Sequence, residues 1–383
     1  MTGRRRHIVF LARWYPHRYD PMFGLFVQRH AEAAALYNDV SVIYVHADEN
    51  VKEKYEIERS TANDINTIRV YYRKPKSKIV SLIRFFNANK LALKQLKNPD
   101  LIHVHILTRC GVIALWQKIV RGTPYIITEH WSRYLPGNDF GGFLRKMMTK
   151  FVVKNASTVT TVTENLAKAM QNHGLKNKNY VVLPNVVDVN LFKPIEKNNS
   201  KVKIIHISCF ENKSKNISGL IDALSILESK DVEYQCVFIG EGIDFEAMKE
   251  YAATKLDSLN IRFTGLLQGQ KLADEMASGD FLVLSSNYEN MPVVILEALA
   301  CGLPVVSTDV GGIKEIVDES CGILVPAKDS ERLADAMQTT IMNLNYDTNT
   351  LRDKVLSRYS YEAVGKFLDG IYKKTAETID VSA

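Results

Sequence analysis

Short apolar runs alternate with amphipathic helical stretches along nearly the whole chain, in two series separated by one proline-bearing polar tract. That alternation constrains the fold most. A short, fully apolar run reads as a strand covered on both faces, and a helix after each such strand is the connection that parallel strands require. The first series places strands at 7–12, 40–46, 67–72, 101–106, 125–130 and 158–163, with helices at 26–37, 79–96, 110–120, 142–154 and 164–172. The tract LPNVVDVNLFKPIEKNNSK (183–201) reads as a linker, because two prolines and a polar tail break both periods. A second series places strands near 202–209, 234–239, 261–264, 281–286, 304–308 and 322–326, and SYEAVGKFLDGIYKKTAE (360–377) is helical. The expected fold is α/β: two Rossmann-like, doubly wound parallel sheets facing a cleft, with ligands at the carboxyl ends of the strands. The expected domains are 1–185, with the helix at 360–383 packing back on it, and 186–359.

At 383 residues the chain suits two cores of ordinary size. No charge-free apolar run has the length that crosses a bilayer, and the apolar core IVFLA after the basic start is too short for a signal peptide. The five cysteines are scattered and form no C-x-x-C, which favours free thiols and a cytoplasmic setting over a disulfide or zinc framework. The net charge of +6 conceals an asymmetry: residues 1–185 hold 29 Lys and Arg against 13 Asp and Glu, and the remainder hold 20 against 30. An anionic partner is therefore expected for the first half, whether nucleic acid, an anionic membrane surface or a phosphate-bearing lipid. Two basic amphipathic segments fall there. In 142–154, Lys146, Lys150 and Lys154 share one face and Phe143, Met147, Met148 and Phe151 another; residues 76–97 place six cations beside IVSLIRFF. Both have the character of helices that lie on anionic lipid, and equally that of lysine-rich solvent faces.

The stretch NYENMPVVILEALACGLPVVSTDVGG (287–312) carries the most chemistry. Pro292 suits the start of a helix, Gly302 its stop, and the amides near 291–294 together with the helix dipole make an anion site. Glu297 lies inside an apolar helix, where a lone carboxylate costs several kcal/mol unless donors reach it. A ribose diol offers two such donors. Glu289, on the preceding loop, is placed to accept hydrogen bonds from sugar hydroxyls, and Asn290 is the residue expected to take a left-handed turn. A basic neighbour of Glu297 would be the plainer explanation of its burial.

The spacing of Glu289 and Glu297, followed by EALACGLPVVSTDVGGIKEIV, resembles the retaining glycosyltransferases of family 4, with the GT-B fold. The likeness covers nearly the whole chain. WYPHRYDPMFGLFVQRHAEAA (14–34) is similar to that family's glycine loop and first helix, PDLIHVH and YIITEHW to its histidine-bearing strand ends, and LPNVVDVNLF to its linker. VFIGEGIDFEAMKEYA, IRFTGLLQGQKLADEMASGDFLVLSSNYEN and YSYEAVGKFLDGIYKK follow in the family's order.

The resemblance implies transfer from a nucleotide sugar, most simply a UDP- or GDP-sugar, to a saccharide or polyprenyl-linked acceptor in surface polysaccharide or glycoconjugate biosynthesis. It implies no cofactor, no metal and no nucleic acid, and a cytoplasmic protein peripheral to the membrane. Glu289, His130 and Lys215 take the catalytic roles. Glu289 would contact the donor sugar, His130 would hydrogen-bond near it, and Lys215 would hold the diphosphate. Glu297 would hold the ribose and Gly24 would admit the donor phosphate; Gly265 and Leu266 would border the base. Asn290, Met291, Pro292 and Val293 complete the donor site. Three features depart from the pattern: Ser208-Cys209 stands in place of Gly-Arg, leaving Lys213 to supply the missing cation; Asn290-Met291 interrupts E-G-x-P; and Phe23-Gly24 replaces a glycine pair. No D-x-D occurs, and His103 and His105 alternate with apolar residues, which suits a core or cleft role better than a metal site. Three other readings are a sugar-nucleotide epimerase of the same fold, a non-catalytic nucleotide-sugar binder, and an oxidoreductase built on Gly240-x-Gly242. The last lacks its third glycine, because Phe245 stands there.

Overall fold

A computed structural model describes residues 5–136 and 140–380; residues 1–4, the first part of the basic start, lie outside them. The chain divides into two compact units, residues 1–186 with 361–383, and residues 187–360.

In the first unit the strands are β1 (His7–Ala12), β2 (Asp39–Asp48), β3 (Tyr55–Ala62), β4 (Ile65–Arg73), β5 (Leu101–His105), β6 (Tyr125–Glu129), β7 (Thr158–Thr161) and β8 (Tyr180–Val182). They form one sheet in the order β3-β4-β2-β1-β5-β6-β7-β8. All neighbours run parallel except β3 and β4. The helices are α1 (Leu25–Ala35), α2 (Lys78–Leu93), α3 (Thr108–Arg121), α4 (Phe143–Asn155) and α5 (Glu164–Asn172). The register sets Phe10 beside Val42 and His103, so the central strands present continuous apolar side chains to both layers.

Two strands escape the apolar-run pattern. β3, YEIERSTA, is a polar antiparallel edge, joined to β4 through Asn63 and Asp64 at φ 50° and 59°. Positive φ at both residues is the backbone twist that suits a two-residue hairpin, and Asn and Asp tolerate it best. β8 is three residues long and half-buried, too short to show a period.

The second unit holds β9 (Lys203–Ile207), β10 (Gln235–Ile239), β11 (Ile261–Gly265), β12 (Phe281–Leu284), β13 (Val305–Thr308) and β14 (Gly322–Val325). Its sheet order is β11-β10-β9-β12-β13-β14, parallel throughout. The helices are α6 (Asn212–Lys215), α7 (Ile217–Ser229), α8 (Phe245–Lys255), α9 (Gly269–Ala277), α10 (Val293–Ala300), α11 (Ser330–Met342) and α12 (Thr348–Tyr359). Leu220 and Leu224 of α7 and Leu333 and Met337 of α11 close over Ile204, Phe281 and Val283. Each such side chain contributes about 1.5–3 kcal/mol on burial.

Both units are therefore Rossmann-like parallel sheets. The last helix, α13 (Tyr361–Asp380), belongs to the first of them. Val364, Leu368 and Tyr372 join Ile8, Phe10, Ala31 and Ala34 in its core, and the Tyr372 hydroxyl lies 2.8 Å from His103 Nδ1. Gly365 permits the contact with α1, since a Cβ there would meet the Ala33 carbonyl oxygen at 2.3 Å.

Candidate active site

In the second unit, the loops after β9 and β12 are tied together by hydrogen bonds. Asn287 N donates to the Ser214 carbonyl at 2.8 Å, Asn287 Nδ2 to the Lys213 carbonyl at 3.0 Å, and Ser285 Oγ to the Lys215 carbonyl at 2.9 Å. These bonds bring residues 74 apart in sequence together. Lys215 Nζ donates to Glu289 Oε1 at 2.5 Å, and Ser286 Oγ donates to the same oxygen at 2.8 Å. Glu289 Oε2 takes no hydrogen bond among the described residues. Burial works to lower the pKa of Lys215, but the Glu289 carboxylate and its hydrogen bond outweigh it and hold the ammonium above its ordinary value. At neutral pH the Lys215 ammonium is charged and keeps two N–H donors, and Glu289 keeps one carboxylate oxygen, still to be used.

Pro292, at φ −70°, caps α10, and Ile295 N makes the first helical bond to the Pro292 carbonyl at 3.2 Å. The amides of Val293 and Val294 precede that bond, at the positive end of the helix dipole. Glu297 is 5% exposed on this helix. Gly302, at φ 76°, ends it in the left-handed conformation expected of a helix stop.

The left-handed turn expected at Asn290 is not there. Asn290 is not among the described residues with positive φ, and the conformation falls instead on Gly311, at φ 61°. A Cβ on Gly311 would lie 1.9 Å from the Glu289 carbonyl oxygen, and Gly312 N donates to the Asn290 carbonyl at 3.0 Å. The loop bearing Glu289 is thus shaped from across β13 rather than by its own asparagine.

Around the same strand ends, Gly265 ends β11 at φ 73°, and Leu266 N donates to Glu241 Oε1 at 3.4 Å. Gly240 and Gly242 serve close packing: a Cβ would strike the Ser208 carbonyl oxygen at 1.9 Å in one case and Phe210 backbone atoms at 2.5–2.7 Å in the other. Cys209 is an exposed free thiol. Lys213 is exposed and makes no ion pair among the described residues.

The other predicted residues, Gly24 and His130, belong to the first unit. Gly24 caps α1 at φ 69°, and a Cβ would meet Trp14 C at 2.4 Å, so the turn is closed to any side chain. His130 follows β6 in a buried group of imidazoles that the apolar alternation alone does not reveal. Its Nε2 lies 3.2 Å from His105 Nδ1, while His105 Nε2 is buried without a hydrogen-bond partner. His103 lies beneath, against Thr128 and Tyr372. Burial, and then the neighbouring imidazoles, hold His103, His105 and His130 well below the ordinary histidine range, so all three are neutral at pH 7. One nitrogen each of His30, His105 and His130 falls within 4.8 Å of the others, a spacing a metal ion can use. Both ring nitrogens of His30, however, face carbonyl oxygens, of Phe26 at 2.8 Å and Pro184 at 2.9 Å.

Residues 27–191 match the model of Glycosyltransferase Family 4, and residues 201–343 that of Glycosyl transferases group 1. The chain is a glycosyltransferase with the GT-B fold. This glycosyltransferase is 24% identical to a Bacillus subtilis glycosyltransferase assigned to teichuronic acid biosynthesis, over 86% of this chain and 88% of the other. It is 26% identical to the phosphatidyl-myo-inositol mannosyltransferase of Mycobacterium leprae, over 72% of this chain and 74% of that one. In fold it is similar to sucrose-phosphate synthase of Thermosynechococcus elongatus, with TM-score 0.76, 19% identity, and 97% and 99% of the two chains covered. It is likewise similar to Anabaena HepE in complex with UDP, with TM-score 0.72, 16% identity, and 96% and 100% covered.

Proposed function

We propose that this glycosyltransferase moves a sugar from a nucleotide sugar, a UDP- or GDP-sugar, to a saccharide or polyprenyl-linked acceptor, with retention at the anomeric carbon. The product would be a surface polysaccharide or glycoconjugate. The observation that carries the reading is the Lys215–Glu289 pair, in which the ammonium keeps unused donors and the carboxylate an unused oxygen. A departing nucleoside diphosphate needs cations and amide donors; a pyranose ring needs acceptors for its hydroxyls. Lys215, Lys213 and the amides of Met291 and Val293 would meet the first need, and Glu289 the second. Glu297 would hold the ribose, Gly265 and Leu266 would border the base, and Asn290 and Pro292 would set the loop. His130 would hydrogen-bond near the reacting sugar, and Gly24 would admit the donor phosphate. Because fixed protein charges answer the charge that develops on the diphosphate, this mechanism calls for neither metal nor cofactor.

The glycosyltransferase would work at the cytoplasmic face of an anionic membrane. Support comes from α4, where Lys146, Lys150 and Lys154 are exposed together with Phe143, Leu144, Met147 and Phe151. No helix of the described residues is long and apolar enough to cross a membrane.

The test is transfer by Glu289→Gln. Product formation from a panel of UDP- and GDP-sugars should fall by about 10²–10³, with the fold and nucleotide binding kept, the melting temperature lowered by only a few degrees, and the product α-anomer identified by NMR. Undiminished turnover would remove Glu289 from the reaction and this reading with it.

A further inference from the structure

A second concave site lies wholly within the first unit, at the carboxyl ends of β1, β5 and β6, with a volume of about 370 Å³. That is room for a ligand of modest size, at the low end of the roughly 300–1,000 Å³ usual for binding pockets. Four arginines line it: Arg13, Arg109, Arg133 and Arg145. None makes an ion pair among the described residues. Two of them are held in place. Arg133 is half-buried over the Trp131 ring, at 3.7 Å, and its Nε is buried without a hydrogen-bond partner. Arg145 Nε is held by the Gly141 carbonyl at 2.6 Å.

The buried carboxylate at the end of β6 is already engaged. Glu129 is fully buried and accepts from Leu107 N, His130 N and Trp131 N at 3.1, 3.0 and 2.9 Å. The Leu107 contact depends on Ile106, which adopts φ 67°, a costly conformation for a β-branched residue. The chain thus accepts strain to fix the rim, while Arg133 feels the charge of Glu129 without pairing with it and the other three guanidinium groups have no carboxylate in ion-pair contact among the described residues.

Most of the remaining lining is apolar and runs outward along α4. Phe140 and Met148 line the pocket, and Phe143, Leu144, Met147 and Phe151 continue on the same helix as exposed side chains, 80%, 70%, 48% and 51% accessible. A ligand that fits both parts carries concentrated negative charge at one end and hydrocarbon at the other. Arginine forks suit phosphate oxygens in particular.

We propose that this pocket seats the diphosphate of a prenyl-linked acceptor, with the hydrocarbon laid along the apolar face of α4. The proposal rests on the transferase reading and adds the group by which the acceptor is held.

Calorimetry with the full chain and saturating UDP tests it, using farnesyl diphosphate, inorganic pyrophosphate and phosphatidylglycerol vesicles as separate probes. Farnesyl diphosphate should bind at least tenfold more tightly than pyrophosphate. Arg13→Ala with Arg133→Ala should weaken it at least tenfold, leaving UDP affinity unchanged. Arg109→Gln with Arg145→Gln, both at exposed positions, should weaken it several-fold at wild-type melting temperature. Farnesyl diphosphate binding that ignores all four arginines would overturn the proposal, as would equal affinity for pyrophosphate. So would loss of vesicle binding in the R13A/R133A protein to the same degree, which would make the pocket a general anionic-lipid site. Arginine-dependent binding without any glycosyl transfer would leave the pocket standing and remove the transferase mechanism. Full transfer to a prenyl-linked acceptor by R13A/R133A would do the reverse.

Discussion

Lys215, at the end of α6, and Glu289, on the loop after β12, stand 2.5 Å apart, and the shared oxygen of Glu289 also accepts from Ser286. The two side chains are 19% and 12% exposed, so neither charge is well solvated without the other. Deleting one partner of such a pair costs about 1–3 kcal/mol, through the charge left behind. Lys215→Met and Glu289→Gln should each lower kcat/KM by about 10²–10³, and the double variant should lose far less than the product of the two. A double-mutant cycle on transfer and on melting temperature measures the coupling. Additive losses would mean that the pair does not act as a unit.

Gly311 offers a test that touches no functional group. At φ 61°, with the Glu289 carbonyl oxygen 1.9 Å from where a Cβ would sit, Gly311→Ala must push the 287–291 loop aside. Turnover should fall at least tenfold, since displacements near 1 Å cost about that or more, while the first unit keeps its melting behaviour. Unchanged kcat in a crystallographically shifted loop would show that the position of Glu289 is not limiting.

The buried histidines set a pH limit on stability. His103, His105 and His130 are held well below the ordinary histidine value by burial, and His206 in the second unit is lowered to about 4. Their folded-state values lie below the unfolded one, so the unfolded chain binds more protons once pH falls under about 6.5. Their contribution is fully present above that pH and is lost as pH falls further, by about 1.4 kcal/mol per pH unit for each histidine that stays neutral. Urea melts at pH 7.5, 6.5 and 5.5 should show little change over the first interval and a steep loss over the second. His103→Gln should flatten the acid limb.

Membrane association should follow the exposed cations of α4. Neutralising Lys146, Lys150 and Lys154 to Gln should remove about 1 kcal/mol per lysine near an anionic surface. Flotation with phosphatidylglycerol vesicles should therefore drop about a hundredfold, and 1 M salt should weaken the wild type likewise. Flotation that survives both treatments would reduce the basic face to solvated surface.

The fold was legible where burial on two faces leaves an unbroken apolar run, as in HIVFLA and FLVLSS. It was not legible in β3, an edge strand whose half-exposed positions carry Glu, Arg and Ser and whose turn uses Asn63-Asp64 rather than a glycine. Within the candidate site, the helix start at Pro292 and its stop at Gly302 follow from local chemistry. The Lys215–Glu289 bond does not, because only the sheet order brings β9 beside β12. Likewise, Asn290 was the local candidate for a left-handed turn, yet a glycine across β13 took it. The four arginines of the second pocket sit after three different strands and on a helix, with no common spacing to betray them.

One consequence of α13 concerns the order in which a ribosome makes the protein. Residues 187–360 leave the exit tunnel before the helix that supplies Val364, Leu368 and Tyr372 to the first core. The domain whose strands are translated first must therefore wait, with the surface of Ala31, Ala34 and His103 uncovered, while a second domain is synthesised and can fold. A nascent chain arrested near residue 360 would expose that surface to chaperones and proteases, and emergence of α13 would be the step that closes it.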